Sequence, residues 1–257
     1  MTVEEAFEGI DACFHLAAIA SVVRSNREWL RTHEVNLTGT INILNQARRL
    51  RHRFEISIVY ASSAAIYGDC STVPIGEDTP VAPLSAYGAD KRACEMHARV
   101  AGAVHEIPTV GLRFFNLYGS RQDAQSPYSG VVALFADRLR LGEPVEIFGD
   151  GEQVRDFTYV GDAVGALDRA LTAASTSAPV FNICTGKGTS VRALVETMGE
   201  LCTRPISPRI TARHDPVKPE YPSEIRAVPP SDSASRPKRL WQTVWQSPSI
   251  CRALDSN

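Results

Sequence analysis

The chain has 257 residues, 44% of them hydrophobic and 22% charged, which is enough to bury the core of one large domain or of a domain with a smaller appendage. Its formal net charge of −2 gives no general electrostatic reason to bind nucleic acid or an anionic membrane. The six cysteines form no C-x-x-C pair and no metal-like Cys/His spacing, and no apolar run suits a signal peptide or a membrane span. We therefore expect a cytoplasmic protein with reduced thiols and no metal site.

Apolar runs alternate with amphipathic segments through the first two thirds of the sequence, which predicts β/α units and a mostly parallel sheet. The predicted strands lie at 12–18, 56–63, 109–116, 145–151 and 179–186. The predicted helices lie at 38–52, 86–103, 130–141 and 160–172, and a last one begins at Thr189 or Ser190 and ends near 202. From Thr203 onward the chain is rich in proline and shows little periodicity, so we expect irregular structure there.

One constellation in this pattern could move protons. Tyr87 and Lys91 stand four residues apart in the predicted helix 86–103, and residues at that spacing share a helix face. Ser62 and Ser63 end a predicted strand, where ligands of open α/β sheets bind, so we expect both hydroxyls to point into that crevice. A nearby cation lowers the pKa of a tyrosine from about 10, and such a set could take a proton from a substrate alcohol. The alternative is an ordinary helix start with a solvated lysine and two loop serines.

A longer series of motifs resembles the extended short-chain dehydrogenase/reductase superfamily, and within it the NAD-dependent nucleotide-sugar epimerases and dehydratases. In chain order the motifs are FHLAAIASV, HEVNLTGTINIL, SSAAIYGDC, SAYGADKRACE, LRFFNLYGSRQD, SPYSGVV, IFGDGEQVRDFTYVGDAV and FNICTG. They extend roughly from Phe7 to Leu201 and are most similar to those of UDP-hexose 4-epimerases, including enzymes for N-acetylated sugars. The resemblance implies a doubly wound, parallel, Rossmann-like sheet with a smaller carboxyl-terminal substrate-binding region. It also implies an NAD cofactor and a UDP-sugar substrate.

The resemblance further implies a role for each matching residue. Ser63 matches the catalytic serine or threonine that contacts the sugar, Tyr87 matches the acid/base, and Lys91 matches the lysine that bridges this tyrosine and the nicotinamide ribose. The other matches are to cofactor-binding residues, His15, Leu16, Ala17, Ala18, Asn36 and Phe114, and to residues that bind the nucleotide sugar, Asn116, Val131, Phe148 and Arg155. Asn36 could instead cap a helix, and Arg155 could instead pair with Asp156 or Asp162 at the surface.

The implied reaction is oxidation of a UDP-hexose at C4, turnover of the 4-keto sugar, and return of the hydride to the opposite face. Related 4,6-dehydratases carry an Asp-Glu pair directly after the catalytic hydroxyl residue. Ala64 and Ala65 stand there in this chain and cannot move protons, which disfavours a dehydratase. Another nucleotide-sugar oxidoreductase of the superfamily, an inert homologue and a partner subunit stay as alternatives. The resemblance also implies a homodimer through the helices 38–52 and 86–103, and a place in polysaccharide precursor synthesis.

Both ends of the chain depart from the family pattern. The sequence has no G-x-x-G-x-x-G turn to receive the NAD pyrophosphate, so we expect an amino-terminally truncated form without the first βαβαβ portion. Near the other end, Tyr221 stands where the family has an arginine, and a change of reading frame would explain the sequence that follows. We therefore predict an incomplete NAD-binding domain at 1–120 with 155–185 contributing, a nucleotide-sugar-binding region at 121–226, and an irregular tail at 227–257.

Overall fold

The computed structural model of the chain describes residues 2–70, 73–126, 129–202 and 208–211. The strands are β1 (Ala12–His15), β2 (Ser57–Ser63), β3 (Thr109–Phe114), β4 (Asn116–Tyr118), β5 (Glu146–Phe148), β6 (Val154–Arg155), β7 (Phe157–Tyr159), β8 (Val180–Ile183), β9 (Thr189–Ser190) and β10 (Arg209–Thr211). The helices are α1 (Val3–Ala6), α2 (Val22–Arg27), α3 (Trp29–His33), α4 (Gly39–Leu50), α5 (Ala86–His105), α6 (Val131–Leu141), α7 (Val160–Ala173) and α8 (Val191–Leu201). A π-helical segment, Glu34–Thr38, joins α3 to α4, and a 3₁₀ turn, Ala64–Tyr67, follows β2.

A parallel four-stranded sheet in the order β1-β2-β3-β8 forms the centre of the fold. Its strands alternate their side chains between two layers of helices. Ile58 of β2 packs with residues of α4 and α5, including Leu44 and Ala101, whereas the neighbouring Val59 packs with Ala170 of α7 on the opposite face. The prediction of a doubly wound, parallel, Rossmann-like sheet is confirmed.

A second hydrophobic cluster lies away from the central sheet. It joins Val132 and Phe135 of α6 to Ile147 of β5 and to Leu194 and Met198 of α8. Ser190 caps α8 by accepting a hydrogen bond from the Ala193 N–H at 3.1 Å, as predicted. The cluster belongs to the region 121–226 that we assign to the nucleotide sugar, and the domain boundaries themselves stay a prediction. The predicted tail at 227–257 lies outside the described residues.

The structure differs from the sequence prediction at three places. The strand predicted at 109–116 ends at Phe114, and β4 pairs instead with β7 in a separate two-stranded sheet. The helical chain predicted from Thr38 begins earlier, at Trp29, because α3 runs through the π-helical segment into α4. The chain after Thr203 is not irregular throughout, since Arg209–Thr211 forms β10 and pairs in parallel with β5.

The longest described helix, α5, has charged residues along its length, including Asp90, Lys91 and Glu95. Among the residues that the structure describes, no helix is both long and apolar enough to cross a membrane.

Candidate active site

The structure brings Ser63, Tyr87 and Lys91 together at the carboxyl end of β2. Lys91 Nζ donates a hydrogen bond to the Ala61 carbonyl oxygen at 2.7 Å and lies 5.8 Å from the centroid of the Tyr87 ring. Ser63 follows Ala61 by two residues and is the last residue of the strand. The i, i+4 pair therefore shares one helix face, as predicted, and that face meets the end of the strand that carries the serine.

Lys91 is a buried cation, with only 4% of its surface exposed. Burial lowers the pKa of its ammonium group, and the nearby Cys94 and Asp90 oppose that shift. The Ala61 carbonyl and the Tyr87 ring both present negative charge density to the ammonium, which offsets part of the lost hydration. Such an ammonium can stabilise negative charge that develops on the tyrosine oxygen.

The two serines at the end of β2 point to opposite faces of the sheet. Ser63 Oγ accepts a hydrogen bond from the Ala65 N–H at 3.2 Å and caps the 3₁₀ turn. The prediction for Ser62 is wrong, because its buried hydroxyl donates to Glu95 Oε1 at 2.6 Å, beneath α5. Successive residues of a strand alternate their side chains, so only one of the two can face the crevice.

Gly88 allows α5 to approach the end of β2 closely. A Cβ atom at this position would lie 2.6 Å from the Ala65 carbonyl oxygen and 3.1 Å from Pro83 Cβ. Because Gly88 follows Tyr87 and Ala65 lies two residues beyond Ser63, this contact brings the phenol and the serine hydroxyl to the same edge of the sheet.

Gly88→Ala is expected to destabilise the protein by about 1–3 kcal/mol, since the added methyl must push α5 away from the 3₁₀ turn. Urea unfolding of both proteins measures the difference. Gly76→Ala is the matched control, because a Cβ there meets no atom within 4 Å. Equal stability of the two variants would contradict the close approach of α5.

The loop after β1 carries the residues that the resemblance assigns to the cofactor. Leu16 and Ala17 are exposed there, whereas Ala18 is half-buried. His15 Nε2 lies 3.0 Å from Thr40 Oγ1, which itself donates to the Asn36 carbonyl oxygen at 2.6 Å. With its hydrogen used in this way, the threonine oxygen must accept, so the network assigns the proton to Nε2 of His15.

His15 is held in its neutral form. Burial, reinforced by the charge of Lys91, lowers the pKa of its imidazole to about 4. A neutral ring adds no second positive charge beside Lys91, and it retains the N–H that Thr40 accepts.

The pKa of His15 predicts a loss of stability in mild acid. Between its ordinary pKa of about 6.5 and the folded value of about 4, the unfolded chain binds a proton that the folded chain does not. The free energy of unfolding should therefore fall by about 3 kcal/mol as the pH drops through this window and should level off below it. Urea unfolding of wild type and His15→Gln from pH 7 to pH 4 isolates the contribution. Parallel pH profiles would contradict the shift.

Asn36 holds the loop in place from within the π-helical segment. Its Oδ1 accepts the Ile19 N–H at 2.8 Å, and its Nδ2 donates to the Ile19 carbonyl at 3.2 Å. The alternative of a helix cap is wrong, because Asn36 lies inside a continuous helical chain and is 1% exposed. The extra residue of a π-helical turn re-aims side chains locally, and such turns are frequent at functional sites.

The described residues fit one end of a dinucleotide. The ammonium of Lys91 and the hydroxyls of Tyr87 and Ser63 are donors for ribose and carbonyl oxygens. The small side chains of Ala17 and Ala18 allow a ligand to approach the backbone. A cavity of about 350 Å³ on the other side of Leu16 and Ala17 is lined by residues of α1 and β1 and does not include Ser63, Tyr87 or Lys91. For the pyrophosphate, the sequence offers no G-x-x-G-x-x-G turn.

The residues predicted to bind the nucleotide sugar lie on neighbouring strands and on α6. Phe114, which the resemblance assigns to the cofactor, lies beside them at the end of β3 and pairs in register with Ser63. Asn116 begins β4, and its backbone N–H and side-chain Nδ2 both donate to the Asp156 carbonyl at 3.1 Å. Arg155 immediately precedes Asp156 along the chain and lies on β6, which pairs with β9 and not with β4. Their roles stay predictions.

The remaining two predicted sugar-binding residues lie on α6 and β5, two of the elements that form the second hydrophobic cluster. Val131 begins α6 and packs against that cluster, while Phe148 ends β5 with 41% of its surface exposed. Asp156 is not a surface partner for Arg155, because it is fully buried. Its carboxylate accepts hydrogen bonds from Thr185 and from the Gly186 N–H.

A buried ion pair beneath the site was not predicted from the sequence. Arg113 Nε and Nη2 donate to the two oxygens of Glu95 at 2.8 and 2.9 Å, and both side chains are almost fully buried. Burial acts to raise the pKa of Glu95, but hydrogen bonds from Arg113 and Ser62 outweigh it, and the net pKa is lowered. Arg113 also donates to the hydroxyl of Tyr67 at 2.8 Å, and Tyr67 donates to Asn182 Oδ1 at 2.7 Å. The pair thus ties α5, β2, β3 and β8 together.

Comparison with known proteins places this site in a family. The family model for the NAD dependent epimerase/dehydratase family matches residues 2–184. The chain belongs to this family. A UDP-glucose 4-epimerase of Mycolicibacterium smegmatis is 37% identical over 185 residues, which are 72% of this chain and 58% of that protein. The chain therefore spans about three fifths of the length of the curated relatives it matches.

Solved structures of epimerases share the fold. The UDP-glucose 4-epimerase of Thermus thermophilus in complex with NAD has a TM-score of 0.80 and 30% identity, covering 99% of this chain and 82% of that one. The UDP-N-acetylglucosamine 4-epimerase of Methanobrevibacter ruminantium in complex with UDP-N-acetylmuramic acid has a TM-score of 0.83 and 27% identity, covering 95% and 77%. The family is NAD-dependent, and the three relatives named above are 4-epimerases of UDP-sugars.

Proposed function

We propose that this chain contains the proton-transferring and sugar-binding parts of an NAD-dependent epimerase that interconverts UDP-hexoses at C4. The observation that carries the proposal is the buried ammonium of Lys91, held between the Tyr87 ring and the end of the strand that carries Ser63. The reaction needs a base for the C4 hydroxyl of the sugar, and the phenol beside this ammonium is that base. Precursors of polysaccharides are the proposed products.

Each residue of the site has a distinct task in this proposal. Tyr87 takes the proton of the C4 hydroxyl and returns it, while Lys91 stabilises the negative charge on the phenol oxygen. Ser63 hydrogen-bonds the sugar oxygen, and Asn116 and Arg155 hold the diphosphate, for which the planar guanidinium fork is suited. NAD, when bound, supplies reversible hydride transfer at C4. Between the two transfers the sugar is a transient 4-ketone.

Epimerisation is favoured over dehydration by the residues that follow Ser63. Ala64 is buried, and Ala65 uses its backbone N–H to bond the serine oxygen. Neither has a side chain that can exchange protons with C5 or C6 of a sugar. Because dehydration needs such groups at these carbons, the 3₁₀ turn supports a reaction confined to C4.

The test measures cofactor binding and sugar conversion separately. Calorimetry with NAD reports cofactor binding, and product analysis with UDP-glucose, UDP-N-acetylglucosamine, dTDP-glucose and GDP-mannose reports the reaction. Both are carried out on the chain itself and on a chimera in which the amino-terminal strands and helices of the M. smegmatis relative precede residue 2. Interconversion of gluco and galacto UDP-sugars by either form supports the proposal. A folded chimera that binds NAD but converts none of the UDP-sugars would contradict it.

We further propose that two copies pair through α4 and α5. Met96, Val100 and Val104 lie one turn apart on α5, and between 53% and 64% of the surface of each is exposed. Residues at this spacing form one stripe along a helix, and an apolar stripe of this kind is typical of an interface.

Met96→Glu combined with Val104→Glu is expected to convert the dimer to a monomer, because each added carboxylate would lose its hydration in the apolar interface. Size-exclusion chromatography with light scattering measures the mass. Val164→Glu is the control, since this valine is 59% exposed on α7, away from the stripe. A chain that is already monomeric, or a dimer that survives the double substitution, would exclude this interface.

A further inference from the structure

The first backbone N–H groups of α5 are bound by side chains rather than left to solvent. The N–H of Ala86 donates to Asn26 Oδ1 at 3.3 Å, that of Tyr87 to Ser25 Oγ at 3.1 Å, and that of Gly88 to Ser85 Oγ at 3.0 Å. An isolated helix has no partners for these donors, and one capping residue commonly satisfies one of them. Here two of the three acceptors come from another helix, α2.

Ser25 is built to accept this hydrogen bond. It is fully buried, and its own hydrogen is directed to the Val22 carbonyl oxygen at 2.7 Å. The oxygen therefore presents a lone pair to the Tyr87 N–H, in a place where water cannot substitute for it. A donor shielded from water that loses its acceptor costs more than the hydrogen bond itself contributes.

The same short helix continues directly from the loop after β1. Ser21 caps α2 by accepting the Arg24 N–H at 3.1 Å, and two residues before it Ile19 is bound through both its N–H and its carbonyl to Asn36. Hydrogen bonds and a short stretch of backbone, 19–21, thus connect Asn36 to α2 and α2 to the start of α5. The loop that carries Leu16–Ala18 is therefore connected through α2 to the acceptor of the Tyr87 N–H.

We propose that Ser25 is a positioning residue through which the position of the loop after β1 determines the position of Tyr87. The proposal rests on the proposed role of Tyr87 as proton carrier. A ligand that orders the loop then also orders the first turn of α5, so that cofactor binding and proton transfer are linked through the α2 helix. Such a link is established by the non-additivity of two substitutions, not by proximity alone.

The first experiment measures site-resolved amide hydrogen exchange in the chain without cofactor or sugar. Ser25→Ala should accelerate exchange of the Tyr87 amide by about 3- to 10-fold, which corresponds to the loss of one buried hydrogen bond. Ser25→Thr retains the acceptor and should restore protection. Ser190→Ala is the matched control, because Ser190 caps α8 with the same 3.1 Å bond and should leave Tyr87 unchanged. Unchanged exchange at Tyr87 in Ser25→Ala would overturn the proposal.

A second comparison tests the link to the loop. Asn36→Ala releases Ile19 and should also accelerate exchange at Tyr87, but it should have little further effect when Ser25→Ala is already present. Should Ser25→Ala fail to fold, Asn26→Ala at an exposed position removes the acceptor of the Ala86 N–H, and exchange at Ala86 then reports the connection between α2 and α5. Fully additive effects of Asn36→Ala and Ser25→Ala would show that the loop and the tyrosine are independent, and would overturn the link.

In the epimerase assay, Ser25→Ala should lower kcat with the KM for the sugar unchanged, whereas Ser190→Ala should change neither. A fall in both parameters in proportion to lost stability would assign Ser25 a merely structural role. Absence of epimerase activity in all forms would refute the proposed reaction, and the exchange measurements would still decide whether Ser25 positions Tyr87.

Discussion

Tyr87→Phe is expected to reduce the rate of UDP-hexose interconversion by about 10²- to 10⁴-fold, the usual contribution of a positioned general acid/base. The substitution removes one oxygen and leaves the ring that Lys91 faces at 5.8 Å, so folding should be unaffected. Its backbone N–H, which Ser25 accepts, is also retained. The loss should therefore lie in kcat, which steady-state measurements of product formation report.

Tyr159→Phe is the control for loss of a phenol oxygen elsewhere in the fold. Tyr159 packs against the Tyr118 ring, with centroids 5.8 Å apart, and its oxygen has no proposed part in the reaction. This variant should keep the rate within about 3-fold of wild type, corresponding to less than one kcal/mol in the barrier. Full turnover by Tyr87→Phe would exclude Tyr87 as the base and with it the proposed proton relay.

Arg113→Met is expected to destabilise the protein by about 3–5 kcal/mol, because it leaves the buried carboxylate of Glu95 without its bidentate partner. Hydrogen bonds from Ser62 and Arg92 would remain, but neither provides two donors to the carboxylate. Chemical denaturation at pH 7 measures the change. The same loss should loosen α5 against β3, since the pair connects these two elements beneath the site.

The double substitution Glu95→Leu and Arg113→Met separates the effect of a buried charge on stability from the effect of changed packing. Removing both charges leaves no uncompensated ion, so the double variant should be more stable than Arg113→Met alone. Arg192→Met serves as the surface control, because the exposed pair of Arg192 and Glu152 contributes at most about one kcal/mol. If Arg113→Met lowers the free energy of unfolding no more than Arg192→Met does, the buried pair of Glu95 and Arg113 contributes no more to stability than an exposed pair.

The parallel sheet was predictable because each of its strands is a short apolar run followed by an amphipathic helix. The run 56–63 and the spacing of Tyr87 and Lys91 are local signals, and they led to β2 and to the relay face of α5. The place where a predicted strand ends could not be found from such local signals. Nothing in the sequence 109–116 shows that the strand must leave the central sheet after Phe114, since that depends on pairing with β7, far along the chain.

The ion pair of Glu95 and Arg113 escaped prediction because charged residues are normally read as exposed. A signal was nevertheless present. Lys91, Glu95, Ala98 and Gly102 follow one another at helical spacing and are all buried, so two charges stand in the apolar stripe of α5. A charge at such a position needs a buried partner. That the partner of Glu95 is Arg113, 18 residues further along the chain on β3, could be found only from the folded structure.

Helix α5 has 20 residues and is therefore about 30 Å long. Its amino-terminal turn carries the phenol, its middle carries the buried ion pair, and its other side presents the apolar stripe. A helix of this length behaves as a stiff rod, so its two ends cannot tilt independently. A second molecule bound to the stripe would therefore restrict the tilting of the helix and, with it, the movement of the phenol. The association state of the protein would then be one of the variables that set its reaction rate.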